Sequence, residues 1–141
     1  MAPASAPVPG APPSPPQQTW PSAIRVRFLE SWPEDEQPGD AFFLHCERER
    51  CTWSNCDGKH LIIILPNGRH WDVDSRAGNC SKREDRTHRC WVRRGDVRDG
   101  TLPVDKDGDT CGAGAGSILS HGYGSHPDYH GHLQHGELRA C

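Results

Sequence analysis

Three cysteines and a histidine lie close together in the first half of the chain. Cys46, Cys51 and Cys56 follow one another at intervals of five residues, and His60 comes four residues after the last of them. Thiolate sulfur and imidazole nitrogen are preferred ligands of structural zinc, and short loops bring such ligands together at a low cost in chain entropy. The pattern C-x4-C-x4-C-x3-H therefore predicts a zinc site. Buried free thiols and disulfides stay open as alternative explanations of the same cysteines.

A second set of the same residue types occurs later in the chain, at Cys80, His88, Cys90 and Cys111. The spacing C-x7-H-x-C is less distinctive, because cysteines in a strand are also ordinary core residues. We interpret these four residues as a candidate second metal site, with core packing of Cys90 as the alternative. Cys141 lies outside both groups and is predicted to be an exposed thiol.

Histidines are concentrated after residue 120, where the chain has five of its nine. Among these, His130 and His132 would share one face of a strand, since side chains alternate between the two faces. That spacing suits metal binding or acid–base chemistry. Histidines beside glycines in exposed hairpins are also commonly solvated, so both interpretations stay open.

The sequence predicts that short strands position these cysteines and histidines. Alternating or β-branched apolar residues are separated by turn sequences such as Pro66-Asn67-Gly68 and His135-Gly136, and no 3.6-residue period extends over eleven residues. The strands are predicted at 24–30, 41–45, 61–65, 70–74, 90–95 and 101–104, with a strand from 117 and a closing hairpin at 128–140. The sequence thus predicts a mostly β fold, a small domain of antiparallel sheets and hairpins with zinc-stabilised loops.

The first 23 residues differ from the rest in composition. They contain eight of the thirteen prolines and no charged side chain. Proline removes a backbone donor, and such a stretch has little apolar surface to bury. We therefore predict a disordered Pro/Ala-rich arm at residues 1–23 and a single Cys/His-rich β domain at residues 24–141.

Composition restricts the classes of protein to which the chain can belong. The net charge of −3 does not indicate a nucleic-acid or anionic-membrane partner, and the longest apolar run, at 61–65, is far shorter than a membrane span. The N-terminus lacks the features of a secretory signal peptide. We therefore expect a reducing cytoplasm, where clustered cysteines more often bind metal than form disulfides.

Several segments together carry a resemblance to a known group of proteins. They are "CTWSNCDGKHL", "HWDVDSRAGNC", "HRCWVRRGD", "VDKDGDTCGAGAGSI" and "DYHGHLQHGEL". The chain resembles, over about residues 40–139, a family of uncharacterised small Cys/His-rich proteins of bacteriophages and prophages, including those of actinobacteria. The resemblance implies a phage source without implying a reaction, and it raises the importance of the cysteines and histidines inside or beside these segments.

These observations converge on a functional hypothesis. No Ser-His-Asp, Cys-His or paired-carboxylate pattern stands out, so no catalytic residue is assigned. We expect a non-enzymatic, zinc-stabilised binding or accessory protein of phage origin, acting in the host cytoplasm and open to a protein partner. Two alternatives are a small metal-dependent hydrolase or nuclease, using the second group or the histidine-rich segment, and a minor component of the virion.

Overall fold

The computed structural model describes residues 20–46, 58–74, 80–85, 88, 90–93, 97–99, 104–105 and 116–141. The fold is mostly β, as predicted, with a single 3₁₀ turn at Val97–Asp99 among the described residues. No helix in these ranges is long and apolar enough to cross a membrane. The strands are β1 (Ala23–Arg25), β2 (Arg27–Phe28), β3 (Asp40–His45), β4 (Lys59–Ile64), β5 (His70–Asp72), β6 (Val92–Arg93), β7 (Val104–Asp105), β8 (Ser117–Ser120), β9 (Tyr129–Gln134) and β10 (Glu137–Ala140).

The strands form two four-stranded sheets and one two-stranded ribbon. Sheet A has the order β1-β10-β9-β8 and is antiparallel throughout. Sheet B has the order β2-β3-β4-β5, in which only the β2–β3 pair is parallel. The ribbon pairs β6 with β7. Among the described candidate ligands, Cys46 and His60 therefore adjoin the β3–β4 end of sheet B, Cys90 lies two residues before β6 of the ribbon, and His130 and His132 lie on β9 of sheet A.

The predicted strand at 24–30 is divided between the two sheets. Ile24 pairs with Leu138 in sheet A, whereas Arg27 pairs with Asp40 in sheet B. The change occurs at Val26, whose amide donates to Gly136 O, and the next amide, of Arg27, donates to Gly39 O. One continuous segment of chain thus gives a strand to each sheet and ties them together.

Two hairpins have their turns at the turn sequences from which they were predicted. The β4–β5 turn closes through Gly68 N to Leu65 O at 2.8 Å, and Gly68 has a φ of 83°. In the β9–β10 turn, His135 and Gly136 have φ values of 51° and 75°, as a two-residue type I′ turn requires. Both predicted hairpins are confirmed.

One apolar core lies between the two sheets. Sheet B supplies Ala41, Leu61 and Ile63 to it, and sheet A supplies residues of the same kind, namely Ile118, Tyr129, Leu133 and Leu138. A smaller cluster of Phe42, Ile62 and Ile64 occupies the opposite face of sheet B. Strand β4 is therefore buried on both faces, which explains its run of consecutive apolar residues.

Residues 20–23, which belong to the predicted arm, contact the β domain. Trp20 packs edge-on against Tyr129, with the ring centroids 5.7 Å apart, and Ala23 already belongs to β1. Ser22 O accepts a hydrogen bond from Ala140 N at 3.3 Å. Packing a large aromatic ring against the core is favourable because it removes apolar surface from water. Residues 20–23 are therefore part of the fold. The rest of the predicted arm, residues 1–19, lies outside the described residues.

Candidate metal centre

Three residues of the second predicted group converge in the interior of the protein. One ligand atom each from Cys80, His88 and Cys90 lies within 4.8 Å of the other two. These side chains are almost fully buried, with 5%, 1% and 1% of their surface exposed. A tetrahedral zinc ion would separate its sulfur and nitrogen ligands by about 3.5–3.8 Å, so small side-chain rotations suffice to bring the three donors to one ion.

Tight backbone turns bring the three ligands together. Asp85 N donates to Lys82 O at 3.1 Å, and His88 N donates to Asp85 O at 3.4 Å. Both hydrogen bonds join residues three positions apart, so they keep the segment that leads from Cys80 to His88 compact. Cys90 follows His88 by two residues. The compactness of this segment is what makes a short, irregular loop a workable ligand scaffold.

A backbone amide contacts the sulfur of Cys80. Lys82 N donates to Cys80 Sγ at 3.4 Å. Hydrogen bonds from groups that do not themselves bind the metal orient the ligands that do, so this contact helps to fix the position of the sulfur. The sequence contains no obvious sign of this contact, because the donor is main chain.

The chemistry of the group fits a borderline soft metal ion. Two sulfurs and one imidazole suit zinc, which usually takes four such ligands in structural sites. Within the described part of the chain, the Nε2 atom of His88 is buried and no hydrogen bond reaches it, although the residue has other interactions. Cys111, the fourth residue named from the sequence, lies outside the described residues.

The segment that follows the group is fastened to sheet B. Trp91 is 2% exposed, and its indole Nε1 donates to Val73 O at 2.7 Å. Arg93 Nε donates to both carboxylate oxygens of Asp74 at 2.9 Å, and Asp74 also accepts from Leu61 N at 2.8 Å. These contacts link the loop that bears the metal ligands to the end of β4 and to the turn after β5. A metal ion held there would connect an irregular loop to the core.

The Asp74–Arg93 pair is buried, with side-chain exposures of 3% and 12%. Asp74 comes two residues after β5 ends, and its partner Arg93 belongs to β6, a different part of the chain. Sequence spacing could not identify this partner, because 19 positions separate the two residues.

Of the first predicted group, the structure describes Cys46 and His60. Cys46 N donates to Gly58 O at 2.8 Å, and Leu44 pairs with His60. Residues two apart on a strand face the same way, so Cys46 and His60 are diagonal neighbours on one face of the β3–β4 hairpin, where it opens. Cys51 and Cys56 lie outside the described residues. A four-ligand site here stays a prediction.

His60 has a carboxylate partner. Its Nδ1 lies 3.0 Å from Asp72 Oδ2, on the neighbouring strand β5. Burial raises the pKa of Asp72 above its usual value of 3.8, and the nearby imidazole of His60 acts in the opposite direction. A carboxylate on one ring nitrogen is the common second-shell arrangement of a metal-binding histidine, since it orients the other nitrogen. The same contact also serves as an ordinary cross-strand pair.

Comparisons with known proteins returned no match, whether against protein-family models, curated proteins or solved structures. The candidate metal centre is therefore assigned from the geometry and the chemistry of the chain's own residues.

Proposed function

We propose that the protein is a non-enzymatic binding or accessory domain whose fold is stabilised by a zinc ion at Cys80, His88 and Cys90. The observation that carries the proposal is the convergence of three buried metal-ligating side chains within 4.8 Å. Two thiols and one imidazole are donor types that structural zinc takes, and here all three lie close together in the interior.

Zinc is the metal proposed because of the donor set. Hard ions such as Mg²⁺ and Ca²⁺ take oxygen ligands, whereas Cys and His together select zinc among the abundant divalent ions. Binding converts the thiols to thiolates and releases their protons, so the site is stable near neutral pH and is lost in acid.

Burial of the three ligands supports a structural role rather than a catalytic one. A catalytic zinc keeps one coordination position open to water or substrate and needs an acid–base group nearby. At 5%, 1% and 1% exposure, the three ligands leave little room for a substrate to approach. The metal-dependent hydrolase or nuclease considered from the sequence would require an accessible ligand set, so this alternative is the weaker one.

A structural zinc ion at this site would need a fourth protein ligand. Cys111 is the candidate from the sequence, and a Cys3His set would close the site. The three thiolates in such a set carry one more negative charge than the Zn²⁺ ion neutralises, which hydrogen bonds to sulfur such as that from Lys82 N help to offset. Replacing Cys111 with serine should lower zinc affinity as strongly as replacing Cys90.

The cellular role follows from the resemblance to phage and prophage proteins. We propose that the domain acts in the host cytoplasm on a protein partner, with zinc holding its surface in shape. A minor virion component is the competing role. Fractionation of particles separates the two, because a virion component sediments with purified particles and a host-acting protein stays in the cell lysate.

Elemental analysis of the purified full-length protein tests the zinc site. We expect at least one tightly bound equivalent of zinc, and Cys90→Ser should remove one equivalent relative to the wild type. Cys141→Ser, which removes an exposed thiol, is the matched control and should retain every tightly bound equivalent. Zinc that stays bound in both Cys80→Ser and Cys90→Ser would overturn the assignment.

The same measurement separates the two predicted groups. If the wild type holds two tight equivalents, the variant Cys90→Ser should keep one, and the paired change Cys46→Ser with His60→Ala should remove the other. Zinc lost only with the second pair of changes would move the structural site to the group at 46–60. Zinc-loaded protein that hydrolyses nucleic acid or ester substrates, with activity lost in Cys90→Ser, would favour the enzymatic alternative.

A further inference from the structure

The outer face of sheet A carries a second set of metal-ligating side chains. Along β9, buried and exposed residues alternate strictly, and His130 and His132 occupy consecutive exposed positions. Their ring centroids are 6.4 Å apart. Two histidines at positions i and i+2 of a strand point to the same side, which is the spacing at which two imidazoles can reach one ion.

Cys141 lies beside these two histidines. The ladder between β9 and β10 ends at the pair Ala140–Gly131, and one further hydrogen bond, from Cys141 N to His130 O at 3.0 Å, continues it. In this register Cys141 is opposite His130 and diagonal to His132. Its Sγ lies 3.5 Å from His132 Nδ1.

The distance between sulfur and nitrogen fits a shared ion. Bonds of about 2.3 Å to sulfur and about 2.0–2.1 Å to nitrogen, set at the tetrahedral angle, place the two ligand atoms about 3.6 Å apart. The observed 3.5 Å therefore needs almost no adjustment. His130, whose ring centroid is 6.4 Å from that of His132, has to move closer, and as an exposed side chain it can change rotamer at little cost.

We propose that His130, His132 and Cys141 form a second zinc site, exposed on the outer face of sheet A. Binding exchanges the Cys141 thiol proton, which passes to water, for a Zn–S bond, and the two imidazoles bind as neutral ligands. With three ligands from the protein, the fourth position faces solvent and takes water. This site is independent of the buried one, and it goes beyond the structural role proposed above.

The surroundings set the strength and openness of the site. Arg139 is directly opposite His132, but its guanidinium donates to Glu137 Oε2 at 2.7 Å, so the carboxylate offsets its charge. An open cleft of about 300 Å³ lies along His132, Gln134 and Arg139 and leaves room at the solvent side of the ion. We expect zinc to bind here more weakly than in the interior, where ligands are held by packing.

The test is a zinc titration of the full-length protein that already carries its tightly bound zinc. Calorimetry should show one additional equivalent of weaker binding in the wild type. His132→Ala and Cys141→Ser should each weaken it at least about tenfold, since losing a ligand costs no less than losing its outer-shell partner. Gln134→Ala is the matched control: it lies on the same face of β9, two residues from His132, and should leave the affinity unchanged.

A second measurement distinguishes loss of the exposed zinc site from loss of folding. The rate of alkylation of Cys141 is measured by peptide mapping. Added Zn²⁺ should slow this alkylation in the wild type and in Gln134→Ala, but not in the double variant His130→Ala, His132→Ala. Additional binding that survives in the double variant, or an unprotected Cys141 in zinc-saturated wild type, would overturn the proposal. The tightly bound zinc is measured separately. Binding at the exposed site can therefore be judged even if the buried site proves to hold no zinc.

Discussion

Two Cys/His groups of this protein, one buried and one exposed, differ in how they are built. The group of Cys80, His88 and Cys90 lies in the interior on an irregular segment, fastened to sheet B through Trp91 and Arg93. The group of His130, His132 and Cys141 lies on the outer face of sheet A, at alternate positions of a regular hairpin. The same residue types thus occur in a packed setting and in a solvated one.

Their surroundings decide what a metal ion would do in each place. If the buried group lost its ion, two thiols and an imidazole would be left in an apolar environment without their ligand, and the loop would lose its connection. If the exposed group lost its ion, water would solvate all three side chains. Burial would therefore make an ion at the first group structural, whereas an ion at the second would be free to exchange. The predictions below test this difference by comparing changes in the two regions.

The largest effect is expected from Cys90→Ser. Structural zinc contributes on the order of 10–16 kcal/mol of apparent binding free energy in small peptides, against a free energy of unfolding of about 5–15 kcal/mol for a whole domain. The variant should lose about 5 kcal/mol or more, or fail to unfold cooperatively, and chelator should move the wild type in the same direction. Cys141→Ser should change the free energy of unfolding by less than about 0.5 kcal/mol. Thermal melts with equal, small shifts for both variants would show that Cys90 is an ordinary buried thiol.

A smaller loss of stability is expected when the Asp74–Arg93 ion pair, which links the segment after the buried group to sheet B, is broken. Asp74→Ala leaves Arg93 without its carboxylate in the interior, and breaking a buried ion pair costs about 3–5 kcal/mol. The control is Arg98→Ala, which breaks an exposed pair with Glu30 whose side chains are 53% and 77% exposed. That change should cost less than about 1 kcal/mol. Urea unfolding measures both, and a loss in Arg98→Ala as large as in Asp74→Ala would contradict the argument from burial.

Truncation at the N-terminus should affect sheet A without affecting the buried metal ion. A chain that starts at residue 24 loses the packing of Trp20 on Tyr129, and we expect its free energy of unfolding to fall by about 1–3 kcal/mol. A chain that starts at residue 20 keeps this contact and should melt within a few degrees of the full-length protein. Zinc content should be the same in all three. A loss of tightly bound zinc on removal of Trp20 would show that the two regions are coupled.

The smallest effect is expected at the β9–β10 turn. Gly136 has a φ of 75°, where an alanine is strained, so Gly136→Ala should cost about 1–2 kcal/mol. His135, with a φ of 51°, is already a residue with a side chain in this region, and His135→Gly should be neutral or slightly stabilising. Calorimetric melts distinguish the two. Because β9 presents the exposed histidines, Gly136→Ala should also weaken the additional zinc binding, while leaving the tightly bound zinc in place.

The hairpins show how far local sequence reaches in this fold. Pro66-Asn67-Gly68 and His135-Gly136 permit the positive φ angles of their turns, and the alternating or β-branched residues around them suit strands, so these hairpins follow from neighbours in sequence. The strand predicted at 24–30 shows where this reasoning stops. Its residues favour an extended backbone, but only the positions of β3 and β10 decide that Ile24 pairs in one sheet and Arg27 in the other.

The sequence by itself determined which residue types could bind metal and that His130 and His132 share a face, because alternation along a strand is a local property of the backbone. Only the tertiary structure decided that Cys80, His88 and Cys90 converge in the interior and that Arg93 pairs with Asp74. An irregular loop has no period from which directions can be read, and its path depends on contacts with distant strands. Burial has the same origin, since it is set by whatever packs around a residue. In the sites proposed here, burial is what would separate a structural metal ion from an exchangeable one.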